Sequence, residues 1–393
     1  MLAERIKAVR PSVTLEITAK AKALRGQGRD IIGFGAGEPD FDTPEHIKKA
    51  AYRAIDEGFV YYTPTAGILE LREAIAEKLN VENKIRCSAE NIIVTPGAKQ
   101  ALYEAIMVLV NPGEEVLIPS PYWVSYLPMV QLASGKPVFI PTGIDGRFKL
   151  GAEQILERIT DKTKLLILNS PCNPTGAVLS REDIRAIADV CRDKSIQIIS
   201  DEIYEYIIYN GREHVSIGSF PDVEDLTITV NGFSKAYSMT GWRLGYASAR
   251  EDILKAMQRL QAHSVSHPTS FVQKAGVVAL TSPESKAQIE KMVRAFDERR
   301  KVITEKLREI PGVKCSKPDG AFYVFANFSA YEEDSFRLAE YLLEKAGVAC
   351  VPGEAFGEEG RGYLRLSYAL SMEKINEGVE RIKKALKNYE VNR

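Results

Sequence analysis

Residues 163–204 read TKLLILNSPCNPTGAVLSREDIRAIADVCRDKSIQIISDEIY, and this stretch decides the fold. TKLLILNSP and IQIISDEIY are short and rich in Leu and Ile, as strands buried on both faces should be. Between them, IRAIADVCRDK has helical texture, and Ser180 with Asp183 ahead of it has the spacing of a capping box. Strand, helix and strand in this order form the unit of a parallel sheet. The pattern extends in both directions. EEVLIPSP and KPVFIP precede the stretch, and LTITVNGFSK and RLGYASA follow it. The alternation from about Glu45 to Ala249 predicts an α/β body with a mostly parallel sheet flanked by helices.

Thr43 followed by Pro44 reads as an N-cap with proline in the first helical position, and Gly58 reads as the stop of that helix. Beyond a long charged amphipathic stretch, roughly Pro283 to Arg308, the texture changes. GVKCSKPDG, AFYVFANF, a helix near Ser335 to Ala346, GVACVPG, YLRLSYA and a terminal helix suggest segregated strands and helices. We expect a large domain over 45–285 and a smaller α+β domain built from 1–44 together with 286–393.

Composition narrows the function. The 393 residues carry 52 Lys plus Arg against 53 Asp plus Glu, a net charge of −1, so no basic footprint for nucleic acid or anionic lipid is present. The five cysteines are scattered and never form a C-x-x-C pair, which speaks against a disulfide framework or a thiolate metal site. His263 and His267 have i, i+4 spacing but lack the glutamate of H-E-x-x-H, so no metal is expected. The opening MLAERIKAVR has charges where a signal peptide needs an apolar run, and no stretch is long and apolar enough to span a membrane. A cytoplasmic protein is expected.

IIGFGAGEPD at 31–40 spaces its glycines G-x-G-x-G and runs into Glu38-Pro39 rather than a helix, unlike a dinucleotide fingerprint. The informative residues lie just past the expected strands, where open α/β sheets bind ligands. TPGAKQALYEAIMVLV starts a helix near Gly97 whose free amides suit a phosphate. Asn173, Asp201, Tyr204, Ser234, Lys235 and Arg243 follow. Each alone reads more simply as a cap or a solvated side chain.

Together and in this order they resemble the class I (fold type I) pyridoxal-phosphate aminotransferases. Asp201 follows Asn173 by 28 residues, Lys235 follows Asp201 by 34, and Arg243 follows Lys235 by eight. The resemblance runs from AGEPD to RLSYA. Through GEPDFDTPEHI, GAKQAL, SPYWVSY and VNGFSKAYSMTGWRLGYA it is nearest the prokaryotic aspartate aminotransferase subgroup. Cys172 departs from the subgroup, where Asn is common.

The resemblance implies a large domain with a mostly parallel sheet of the seven-stranded type, pyridoxal 5'-phosphate as cofactor, and a homodimer with shared active sites. It makes Lys235 the catalytic amine, which must be neutral near pH 7, a condition that burial beside cations favours. Asp201 would keep the pyridine nitrogen protonated, Tyr204 and Asn173 would bind the phenolic oxygen, and Trp123 would cover the ring face. Ala98 and Lys99 amides, Ser234 and Arg243 would hold the phosphate, with Tyr62 reaching in from the neighbouring subunit. Arg365 would grip the substrate α-carboxylate near Gly37, with Trp123 and Asn173 beside it. No second arginine for a distal carboxylate is evident; Lys99, with Ser12 and Thr14 of RPSVT, takes that role in the subgroup. Arg10 matches a basic residue of members that accept prephenate.

The implied activity is ping-pong transfer of an amino group from L-aspartate to 2-oxoglutarate. Its rivals are relatives preferring aromatic, alanine-type or kynurenine-like donors, a C–S lyase, and a cofactor-binding regulator without turnover.

Overall fold

The computed structural model describes residues 2–9 and 11–389. Its strands, in chain order, begin with β1 (Ile32–Gly33), β2 (Ile92–Thr95), β3 (Glu115–Ser120) and β4 (Lys136–Pro141). They continue with β5 (Thr163–Asn169), β6 (Gln197–Asp201), β7 (Thr227–Gly232) and β8 (Gly245–Ser248). Seven of these form one sheet in the order β2-β8-β7-β6-β5-β3-β4. Neighbours are parallel except that β8 runs antiparallel to both β7 and β2. The fold class is α/β, as expected. Six of the seven strands coincide with apolar runs read from the sequence. The seventh, β2, is a four-residue strand abutting a helical pattern, where periodicity cannot separate the two.

Both faces of this sheet are covered, which explains the unbroken apolar runs. Ile167, Ile199 and Ile228 pack toward helices Ala98–Leu109 and Glu251–Ser264, whereas Leu117, Leu166, Leu168 and Ile198 pack toward helix Arg181–Asp193. Successive residues of one strand thus serve opposite cores. The capping box is present: Asp183 N donates to Ser180 Oγ at 3.2 Å, and Ser180 N donates to the Asp183 carboxylate at 2.8 Å. Thr43 is not a cap. Helix Glu45–Asp56 is flanked by Pro44, while Thr43 Oγ1 donates to Ser238 O (2.7 Å) and accepts from Trp242 Nε1 (3.0 Å). The hydroxyl therefore pins the loop joining Lys235 to Arg243.

The remaining strands are β9 (Lys314–Cys315), β10 (Tyr323–Asn327), β11 (Val348–Ala349), β12 (Val351–Pro352) and β13 (Tyr363–Ser367). Four make an antiparallel sheet in the order β12-β13-β10-β9, and β11 pairs in parallel with β1. The amphipathic stretch is a single helix, Pro283–Arg308, capped by Ser282. Ile32 and Phe34 share a core with Phe296, Ile303, Tyr323, Leu364 and Ile375, so the N-terminal segment packs with the C-terminal part. Among the described residues no helix is long and apolar enough to cross a membrane.

Candidate active site

The polar residues singled out by sequence lie at the C-terminal ends of the parallel strands. Asn173 lies four residues past the end of β5, Asp201 ends β6, and Ser234 and Lys235 lie just past β7. Helix Ala98–Leu109 begins after Gly97, at φ +84°, and two glycines bring its start against the neighbouring loop. A Cβ on Gly97 would strike the Arg243 guanidinium, and one on Gly245 would strike the Ala98 backbone nitrogen. First-turn amides have no acceptor within their helix and sit at the positive end of its dipole. Arg243 stands beside them. It donates to Thr240 O (2.8 Å) and Pro96 O (3.4 Å) and forms no salt bridge among the described residues. Ser234 is buried, and free first-turn amides beside an Arg243 guanidinium suit an anion.

Lys235 Nζ donates to Gly37 O at 2.5 Å. Burial pushes its pKa down to about 8; Arg365 and Arg243 act in the same direction, against Glu38 and Asp201. Asp201 is buried, and burial pushes its pKa up to about 6, opposed by hydrogen bonds from Tyr126 and Ile203 N. Tyr126 OH donates to Asp201 Oδ2 at 2.6 Å. Asn169 joins the two loops: its Nδ2 donates to Asp201 O (2.9 Å), and its Oδ1 accepts from Asn173 N (2.9 Å).

Arg365, on β13, is 2% exposed. Its Nη1 donates to Asn173 Oδ1 (3.0 Å) and its Nη2 to Gly35 O (2.8 Å), while Nε is buried with no partner. The guanidinium lies 4.5 Å over the Tyr323 ring and 5.0 Å over Phe356. No salt bridge reaches it among the described residues, so this buried cation is held by neutral groups alone. Such a charge is costly until an anion joins it. Tyr323 OH also meets Tyr204 OH at 2.8 Å, linking β10 to the loop after β6.

Lys99 Nζ lies 5.0 Å over the Trp123 ring, and its pKa is lowered by burial first and by Arg243 second. Trp123 in turn meets Tyr126 edge-on at 5.3 Å. Lys99 and Ser12 line one groove of about 1190 Å³, where Ser12 Oγ and Thr14 Oγ1 are 3.0 Å apart. Tyr62 is not drawn into the cluster: it is 90% exposed and meets His267 edge-on. Arg10 lies outside the described residues.

Three residues of the cluster, Asn169, Tyr126 and Tyr323, escaped the sequence reading. Tyr126 follows Trp123 by three residues, and Tyr323 sits mid-run in AFYVF; both look like core aromatics until their hydroxyls are placed. His267 Nδ1 contacts Thr63 Oγ1 at 3.1 Å. Among the described residues, Glu202, Glu205 and His214 have the spacing to hold a cation. These carboxylates already accept from Ser216 (2.6 Å), His214 (2.8 Å), Ser200 (2.9 Å), Asn83 (2.8 Å) and Lys78.

The family model for aminotransferase class I and II matches residues 29–382. The chain is 51% identical over 389 residues to an Aquifex aeolicus protein named "Probable aspartate/prephenate aminotransferase", covering 98% of each. It is 46% identical to the aspartate aminotransferase of Bacillus subtilis, covering 99% of each chain. The aspartate aminotransferase of Thermus thermophilus, solved with maleate, superposes with a TM-score of 0.95 at 44% identity, over 98% of this chain and 99% of that one.

Proposed function

The chain belongs to the aminotransferase class I and II family and is a transaminase, and from that premise we propose that it moves the amino group of L-aspartate to 2-oxoglutarate by a ping-pong mechanism. Prephenate is the second acceptor to test, in keeping with the name of the Aquifex relative. One observation carries the preference for dicarboxylic acids: Arg365 and Lys99 are two cations with no salt bridge among the described residues, one for each carboxylate. The Thermus relative's maleate, a dicarboxylate, supports the same reading.

The residues fit pyridoxal 5'-phosphate. The amides of Ala98 and Lys99, with Ser234 and Arg243, would hold its phosphate, because they offer donors and no competing carboxylate. Asp201 would face the ring nitrogen, Asn173 and Tyr204 the phenolic oxygen, and Trp123 the ring face. When bound, the cofactor supplies a carbonyl that accepts the amino group and a cationic ring that withdraws electrons from the substrate Cα. The protein does the rest. Arg365 would clamp the α-carboxylate through its fork beside Gly37, orienting the Cα–H toward Lys235. With a pKa near 8, Lys235 Nζ can give and take a proton at neutral pH, so it would collect the Cα proton and return it. Lys99, with Ser12 and Thr14, would meet the distal carboxylate, and Arg10 would serve prephenate.

Tyr62 from a second copy would complete the phosphate cup, which makes the active unit a homodimer; its high exposure in the single chain accords with this. We place the domain boundaries at 45–285 and at 1–44 with 286–393, and the enzyme in the cytoplasm.

Lys99→Ala tests the substrate preference. It should lower kcat/KM for aspartate by about 1.5 to 3 kcal/mol, the worth of a charged hydrogen bond, and leave alanine nearly unchanged. Equal losses on both donors would mean that Lys99 only shapes the helix start.

A further inference from the structure

We propose that Tyr126 is a positioning residue for transamination, its buried phenol holding the Asp201 carboxylate ionised and in place behind the cofactor ring. The proposal rests on the reading of Asp201 as the partner of the ring nitrogen. Tyr126 is 2% exposed and begins the short helix Tyr126–Leu132 just after Trp123. Its hydroxyl donates to Asp201 Oδ2 at 2.6 Å, while Ile203 N reaches Oδ1 only at 3.3 Å. The phenol is therefore the closer of the two donors to that carboxylate. Its ring meets Trp123 edge-on, so one side chain supports both the proposed ring cover and the proposed ring anchor.

The need for such a donor follows from burial. A carboxyl group taken out of water favours its neutral form, and a neutral acid cannot keep a ring nitrogen protonated. A hydrogen bond from a neutral phenol opposes this by favouring the carboxylate. Tyr126 keeps its proton across the working range, since burial and the nearby Asp201 raise its pKa well above the usual tyrosine value. The other ionisable groups acting on Asp201 are Glu202, which disfavours its charge, Lys235, which favours it, and Cys172 and Tyr204, which are themselves neutral at pH 7. Among the described residues, none of these donates a hydrogen bond to the carboxylate, which accepts from Tyr126 and Ile203 N alone.

A double-mutant cycle tests the proposal on wild type, Tyr126→Phe, Asp201→Asn and the double variant. Phenylalanine keeps the ring that packs on Trp123 and removes only the hydroxyl. The readouts are the dissociation constant of pyridoxal 5'-phosphate from pH 5 to 8, by equilibrium dialysis, and the split between kcat and KM for aspartate. Tyr126→Phe should weaken cofactor binding by about 10- to 100-fold at the acid end. It should also move the acid limb of the affinity profile to higher pH, because losing the donor raises the Asp201 pKa further. The kcat should fall while KM stays within a few-fold. In the Asp201→Asn background the same substitution should cost no more than a few-fold. Equal losses in both backgrounds, or an unmoved acid limb, would overturn the proposal and leave Tyr126 a packing residue. An Asp201→Asn enzyme with wild-type affinity and pH profile would overturn it differently, by removing the Asp201 assignment beneath it.

Discussion

Replacing Lys235 with Ala is expected to lower transamination by about 10⁴-fold or more, the scale of losing both a covalent and a proton-transferring amine. No other lysine occupies this position. Lys235 Nζ is fixed on Gly37 O at 2.5 Å, and its pKa is held near 8 by burial, with Arg365 and Arg243 assisting. Lys99 has a different place, over Trp123. The anion-binding loop is untouched by the substitution, so the cofactor should still bind, without the visible absorption that depends on the amine. Mixing provides a second readout. Lys235→Ala chains and Tyr62→Ala chains, each poorly active alone, should recover part of the activity in heterodimers, because one site then carries both lesions and the other none. A variant with normal turnover would refute the role of Lys235. Absence of recovery on mixing, with heterodimers present, would refute the sharing of Tyr62.

Arg365→Lys should reduce kcat/KM by about 2 to 5 kcal/mol, the range for disabling one partner of a buried, hydrogen-bonded charge pair. The expectation comes from geometry rather than charge, since lysine keeps the cation but loses the fork. Arg365 spans Asn173 Oδ1 at 3.0 Å and Gly35 O at 2.8 Å and sits 4.5 Å over the Tyr323 ring, contacts that a single ammonium cannot all reproduce. Aspartate and alanine should suffer alike, because both present an α-carboxylate. Steady-state kinetics on the two donors thus separate Arg365 from Lys99, whose loss should fall on aspartate. A selective loss on aspartate in Arg365→Lys would reverse the two assignments.

Much of the fold was legible because buried parallel strands leave continuous apolar runs and because Ser180 and Asp183 mark a helix start in four residues. Strand β2 was not legible: its length is that of a fragment, and only its pairing with β8 identifies it. Thr43 has the type and position of a cap, yet its hydroxyl is taken by Ser238 O and Trp242, a long-range choice that local pattern does not carry. In the site, Lys235 and Asp201 stood out through motif spacing, and Arg365 through the resemblance of RLSYA to the family motif. Tyr126 and Tyr323 did not, since a buried tyrosine earns its role from where its hydroxyl ends, and that depends on segments far apart in the chain. The unpartnered Nε of Arg365 likewise exists only once β13 is packed.

The central claim is that this chain transfers an amino group from aspartate to 2-oxoglutarate, and the most direct measurement is steady-state turnover over a panel of L-amino acid donors with 2-oxoglutarate as acceptor. The account predicts the highest kcat/KM for aspartate, parallel lines in double-reciprocal plots, and oxaloacetate and glutamate in equal amounts. A higher kcat/KM for an aromatic amino acid, alanine or kynurenine, or release of ammonia and pyruvate in place of paired products, would contradict it.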